Sequence, residues 1–102
     1  MEENLSPTQP LLIVDDEEKI CLNCVKILSK LEYEVEYALN GYGALELLDA
    51  ESYDLVITDY NMPQMDGHEL LKFIRHKSNQ TELPVMMVTT EGGQSKVAAV
   101  QE

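Results

Sequence analysis

The stretch Leu55-Val56-Ile57-Thr58-Asp59 constrains the fold more than any other part of this chain. Three apolar residues run unbroken from Leu55 to Ile57, and an acid stands at each end, Asp54 and Asp59. A short β-rich apolar run of this kind reads as a strand buried on both faces of a parallel sheet. The residues after Asp59 cannot extend it, because Pro63 and Asp66-Gly67 are loop signals. Asp59 is thus expected at the carboxyl end of a central strand, which is where open α/β sheets bind their ligands.

The rest of the chain supplies the partners of that strand. Leu11-Leu12-Ile13-Val14 reads as a first buried strand and runs into Asp15-Asp16-Glu17-Glu18. Ile20, Cys24, Ile27 or Leu28, and Leu31 then recur at helical spacing, with acids at the start of the helix and Lys26 and Lys30 in its later half. Tyr33 to Leu39 alternates as a half-exposed strand near the sheet edge. Asn40-Gly41 reads as a turn, and Ala44, Leu45, Leu47 and Leu48 mark a short helix. After the organising strand, a helix is expected over Glu69 to Lys77, then a polar loop Ser78-Asn79-Gln80-Thr81, then the strand Val85 to Thr90. Glu91-Gly92-Gly93 breaks that strand, and Ser95 to Glu102 is expected to begin a fourth helix. Alternating strands and helices imply a parallel sheet covered on both faces, wound by right-handed crossovers. Residues 1–9 read as a flexible polar lead and residues 10–102 as one domain.

Composition excludes several function classes. The chain has 102 residues, with 19 acids against 7 bases and a formal net charge of −12. Nucleic acids and anionic membranes call for basic patches, so neither is expected as a partner. No apolar run reaches transmembrane length, and MEENLSPTQP is not a signal peptide, so a cytoplasmic location with reduced cysteines is expected.

Asp15 and Asp16 end one strand and Asp59 ends another. If those strands are neighbours, three carboxylates converge, and like charges at that distance raise one another's pKa unless a cation intervenes. Mg²⁺ suits such a site, being hard, oxygen-seeking and reluctant to shed its waters. A plainer reading has Asp15-Asp16 merely capping the first helix. An EF-hand fails on spacing, since Pro63 and Gln64 stand where a ligand and a glycine are needed.

Leu11 to Glu17 with its acid pair, Thr58-Asp59-Tyr60-Asn61-Met62-Pro63 followed by Met65-Asp66-Gly67, and Val88-Thr89-Thr90-Glu91 together resemble the receiver domain of two-component response regulators, of the chemotaxis single-domain kind. The resemblance runs from Leu11 to the last residue. It implies a flavodoxin-like, doubly wound sheet in which the strands of Asp15 and Asp59 are adjacent. It further implies Asp59 as phosphoacceptor, with Asp15, Asp16, Asp59 and the Asn61 backbone carbonyl holding Mg²⁺ or Mn²⁺. Thr89 would contact the phosphoryl group, and Asn61 and Glu91 would modulate its lifetime. The implied partners are a histidine kinase or phosphotransfer protein and an unidentified output protein. No enzymatic activity is implied beyond gain and loss of the domain's own phosphoryl group.

The chain departs from that family at its end. It is expected to stop at Glu102 within the fourth helix, leaving a sheet of order 2-1-3-4 without the fifth strand and helix. The lysine that ends the family's fifth strand is then absent, and neither Lys77 nor Lys96 is expected on such a strand. The edge Val85 to Thr90 would be unpaired and apolar, which predicts a homodimer or domain swap with contacts near Val85 to Val100. Two other functions compete: a docking module that is not phosphorylated, and a small Mg²⁺-dependent phosphatase working through an aspartyl phosphate. The second needs an acid where Asn61 stands. Cys21 and Cys24, though spaced C-x-x-C, lie inside a helix and read as core packing. His68 and His76 read as surface residues. Met62, Met65, Met86, Met87, Tyr53 and Tyr60 read as packing.

Overall fold

The computed structural model describes residues 9–76, 82–91 and 94–100, and from Thr90 onward the backbone alone. Expectations for residues 1–8, Lys77 to Thr81, Gly92-Gly93 and the last two residues lie outside these. Four parallel strands, β1 (Leu11–Val14), β2 (Val35–Ala38), β3 (Leu55–Asp59) and β4 (Val85–Glu91), stand in the order β2-β1-β3-β4. Three helices connect them: α1 (Glu18–Lys30), α2 (Gly41–Ala50) and α3 (Gly67–His76). This is the doubly wound sheet expected from the sequence.

The winding follows from handedness. The chain steps from β1 to β2 in one direction, then from β2 back past β1 to β3 in the other. A right-handed crossover that reverses direction puts its helix on the opposite face of the sheet. The two directions diverge between β1 and β3, so a crevice opens there, outside their carboxyl ends.

Side-chain burial shows the two faces to be unequal. Leu12, Val14, Val56, Val85 and Met87 join Ala44, Leu48, Leu70, Leu71 and Ile74 from α2 and α3 in one core. On the alternate positions, Leu55, Ile57, Met86 and Val88 are only half-buried. There α1, which lies against β1 and β2, is the one helix among the described residues. Its stripe is less covered than its spacing suggests. Cys21 is buried, Cys24 and Leu28 are half-buried, and Ile27 and Leu31 are 61% and 63% exposed.

The end of the chain differs from expectation. Gln94–Val100 is not a fourth helix but a strand, β5, antiparallel to β4. Its rungs run from Glu91↔Gln94 to Val85↔Val100 and include Thr89↔Lys96. An apolar edge strand leaves a row of backbone N–H and C=O groups without partners. Running back antiparallel as β5, the chain satisfies that edge itself. The helical preference of Ala98-Ala99 is overridden. One expectation therefore falls: the β4 edge is not free. Lys96 lies on β5, but β5 runs antiparallel and is not the family's parallel fifth strand, so the parallel sheet of order 2-1-3-4 without that strand stands as expected.

Candidate functional site

The site starts from a rung of the sheet. Val14 of β1 is the register partner of Thr58 of β3, so Asp15 and Asp59 leave the sheet side by side. With Asp16 they bring a carboxylate oxygen each to within 4.8 Å of one another. These are hard, anionic oxygen donors, the set that suits Mg²⁺ or Mn²⁺. Asp15 does not cap α1. The residue before the helix is Glu17, which makes no side-chain cap, and Asp15 Oδ1 instead accepts the Glu17 N–H at 2.9 Å.

Partial burial, then the Asp15 charge, raises the carboxyl of Asp59 above the usual range, against a lowering by the Asn61 N–H, which donates to its Oδ1 at 3.4 Å. Asp15 is also raised, by burial first and by Asp16 among its charged neighbours. Burial is thus the larger cause of both shifts, and the crowding of like charges adds to it. The acids line a cleft of about 500 Å³ together with Glu17, Ile20, Asn61 and Val88.

The loop that carries Asn61 is held tightly. The Tyr60 N–H donates to Val88 O at 2.8 Å, and the Gly67 N–H donates to Tyr60 O at 2.9 Å. Gly67 sits so close to β3 that a Cβ there would meet Asp59 O at 2.8 Å and Tyr60 Cα at 3.0 Å. Thr58, fully buried, donates its hydroxyl to the same Asp59 carbonyl at 3.0 Å. Met62 and Met65 are buried beneath the loop, Met65 lying against Gly41 at the start of α2. The main chain around Asp59 is therefore fixed by the sheet, by α3 and by packing.

Of the residues singled out in the sequence, Asp15, Asp16, Asp59 and Asn61 come together. Thr89 is half-buried in β4, one residue past the rung Asp59↔Val88, and is not among the described residues lining the cleft. Glu91 ends β4, with its backbone alone described. Sequence reasoning did not pick out Ile20 and Val88 as lining residues, and their types carry no signal of it. The bland readings hold for most other candidates. Burial pushes the Cys21 thiol up to about 11, and its Sγ–H points to Asp15 O at 3.4 Å, the environment of an inert core thiol. His68 and His76 are exposed. Tyr53 is buried and its hydroxyl donates to Glu36. Tyr60 is exposed rather than packed.

Residues 11–102 match the model of the response regulator receiver domain. The chain belongs to the response regulator receiver domain family. This receiver is 44% identical over 89 residues to chemotaxis protein CheY1 of Helicobacter pylori, covering 85% of this chain and 72% of that protein. It is 39% identical over the same length to a CheY homolog of Campylobacter jejuni, covering 68% of the latter. Among solved structures it superposes on CheY4 of Vibrio cholerae with a TM-score of 0.79 at 36% identity, covering 84% of this chain and 72% of that one. The receiver is thus a two-component response regulator domain with the flavodoxin-like sheet. Among its described residues no helix is long and apolar enough to cross a membrane.

Proposed function

We propose that this receiver takes a phosphoryl group onto Asp59 in a Mg²⁺-dependent reaction, Mn²⁺ serving as well, and passes the change on by altering its surface. The observation that carries this reading is the convergence of Asp15, Asp16 and Asp59 at the carboxyl ends of β1 and β3. Asp59 is the acceptor because it alone of the three lies on the strand and meets the cleft with its backbone fixed. Its carboxylate oxygen attacks phosphorus, an O–P bond forms, and the bond from phosphorus to the donor breaks. From a phosphohistidine the imidazole nitrogen leaves with a proton, and from acetyl phosphate acetate leaves. Water later returns the carboxylate and releases inorganic phosphate.

Asp15, Asp16, Asp59 and the Asn61 carbonyl would hold the metal, which when bound supplies neutralisation of the charge gathered on the phosphoryl oxygens. The Thr89 hydroxyl would donate to one of those oxygens, and Asn61 and Glu91 would flank the water's approach. The phosphoryl donor is a histidine kinase or phosphotransfer protein, the listener is a separate output protein, and the setting is the cytoplasm. Residues 10–102 form the working domain behind a polar lead of residues 1–9, and the domain turns over no substrate but its own phosphoryl group. A second copy of the chain is a further partner.

Incubation with acetyl phosphate and Mg²⁺ should add one phosphoryl mass to the wild type and none to Asp59→Asn. Labelling that persists in Asp59→Asn would assign the acceptor elsewhere, and labelling of neither would favour a docking module.

A further inference from the structure

Helix α3, on the well-covered face of the sheet, carries a cluster that stands apart from the acidic cleft. Leu70, Leu71 and Ile74 are buried in the core. Glu69, the single acid of the helix, is turned to its start, where Oε1 accepts the Asp66 N–H at 3.2 Å. The outer surface is left with Lys72, Phe73 and His76, all exposed, and with Arg75 half-buried beside them. Bases in a last turn are favoured by the helix dipole, which accounts for Arg75 and His76. It does not account for Lys72 or for Phe73, the chain's one phenylalanine, whose ring is 52% exposed. Phenylalanine is a poor helix former, and a wet ring forgoes its burial, so the stability of α3 does not call for it. The other described cations, Lys19, Lys26 and Lys30, lie on α1 between Glu17 and Glu18 at one end and Glu32 and Glu34 at the other. Two grooves run along the α3 surface. Among the described residues, one of about 290 Å³ is lined by Glu69, Lys72, Phe73 and His76. The other, of about 200 Å³, is lined by His68, Leu71, Lys72, Arg75 and His76. Lys72 and His76, neighbours on one helix face, form the ridge between them. Each groove is smaller than the roughly 300–1,000 Å³ of a small-molecule site and suits single side chains. From His68 to His76 the surface runs about 12 Å, the length of about four residues of extended chain.

We propose that the outer surface of α3 is a docking site for a short acidic segment of another protein, one that carries an aromatic or long aliphatic residue. The apolar side chain packs on Phe73 in the larger groove, and a carboxylate takes the Lys72 ammonium and the His76 ring N–H along the ridge. Charge complementarity selects this occupant. On a chain of formal net charge −12, cations beside an exposed aromatic ring give an acidic segment a place to settle and fix its register. The same net charge repels a nucleic acid, whose phosphates recur along its whole length and outnumber the bases of α3. A second copy of the chain would bring a further −12, whereas a short segment brings only a few acids. The inference does not rest on the phosphoryl-acceptor reading, since it uses no residue of the cleft.

Selection from a random peptide library displayed on phage, against the full chain, tests it. The enriched peptides should be acidic and carry an aromatic or long aliphatic residue. Synthesised with a fluorophore, they should bind Phe73→Ser and Lys72→Glu about tenfold or more weakly than wild type by anisotropy. Lys72→Arg, which keeps the charge, should bind within about twofold of wild type, and added salt should narrow the gap between wild type and Lys72→Glu. Lys26→Glu makes the same charge change on exposed α1 and should also stay within about twofold. Lys72 and Phe73 are exposed, so their variants should melt as wild type does. If Phe73→Ser melts early, the contrast between Lys72→Glu and Lys26→Glu carries the test alone. Enriched peptides that are neutral or basic, or that bind Lys72→Glu as they bind wild type, would overturn the proposal, as would a library that yields no binder. A labelled oligothymidylate that competes with the peptides would assign the surface to nucleic acid instead. A fall in the mass seen by light scattering on Lys72→Glu would assign it to a second copy.

Discussion

Asp59 is held partly out of water and beside Asp15, so its proton is retained to higher pH in the folded chain than in the unfolded one. The sign of the stability effect follows from linkage. The folded state binds more protons than the unfolded state between the ordinary carboxylate value of 3.8 and the raised value. The contribution is therefore fully present below 3.8 and is lost as pH rises through the raised value. At neutral pH without divalent cations the site destabilises the fold. Asp59→Asn should then raise the melting temperature by a few degrees at pH 7. The gain should close at pH below 3.8 and shrink when Mg²⁺ is added, and a melting temperature unchanged at every pH would contradict it. The acids were readable in the sequence because each ends an apolar run, and a carboxylate there has few structural uses. What supports them was not. Nothing in Asp66-Gly67 as a loop signal reveals that Gly67 rests on the backbone of Asp59 and Tyr60. A Cβ there meets main chain that cannot give way, whereas one at Gly41 meets the flexible thioether of Met65. Gly67→Ala should cost about 1–3 kcal/mol and displace Asp59, lowering phosphoryl uptake as well. Gly41→Ala should cost less, as denaturant melts of the two variants would show.

Helices α2 and α3 begin on side chains that the sequence presents as turns. Asn40 caps α2, accepting the Gly43 N–H at 2.7 Å. At α3 the arrangement is reciprocal. The Glu69 N–H donates to Asp66 Oδ1 at 2.9 Å and the Asp66 N–H donates to Glu69 Oε1 at 3.2 Å, a capping box with Asp as its first member. Asp66→Ala should destabilise by about 1 kcal/mol, and Glu69→Gln by less, because an amide oxygen still accepts. At the other end of α1, Glu32 takes a left-handed φ of 72° while its N–H closes on Ser29 O at 2.9 Å. A glycine has no Cβ strain there, so Glu32→Gly should be neutral or stabilising by up to about 1 kcal/mol, unlike glycine at most exposed sites. That the strands run parallel was readable from the alternation of strands and helices, whereas their order came with the resemblance to the receiver family. β5 was not readable. Ser95 to Val100 holds two alanines and two valines, compatible with either state, and the deciding quantity is the unpaired edge of β4, a property of the assembled sheet.

At the scale of the whole molecule, the described residues cover the two faces of the sheet unequally. The face toward α2 and α3 is closed by a continuous core, while Leu55, Ile57, Met86 and Val88 on the other remain half-exposed. Beside them on α1, Ile20, Ile27 and Leu31 are exposed, and Ile20 borders the cleft with Val88. Ile20, Ile27 and Leu31 fall on one stripe of the helix, since spacings of seven and four residues return to the same side. A strip of β3 and β4 about 10 Å wide, walled by that stripe, has the width of one helix. Apolar surface left in water forgoes about 25 cal/mol per Å², and a contiguous patch of this kind is an association surface. The homodimer expected from the sequence loses the ground it was given, a free β4 edge, and we propose one on a different ground. The β4 edge is taken by β5, so the contact should form over the open face, with the outer edge of β5 as its rim. A net charge of −12 on each copy opposes the pairing, so it should strengthen with salt. Light scattering should show mass rising with concentration, more steeply at high ionic strength. Replacing Ile27 and Leu31 by lysine should reduce association without lowering the melting temperature of the monomer, because neither is buried in it. A chain that stays monomeric at all concentrations and salts would show that the open face is tolerated wet. Association that survives both lysines and is lost when β5 is shortened would move the contact to the strand edge instead.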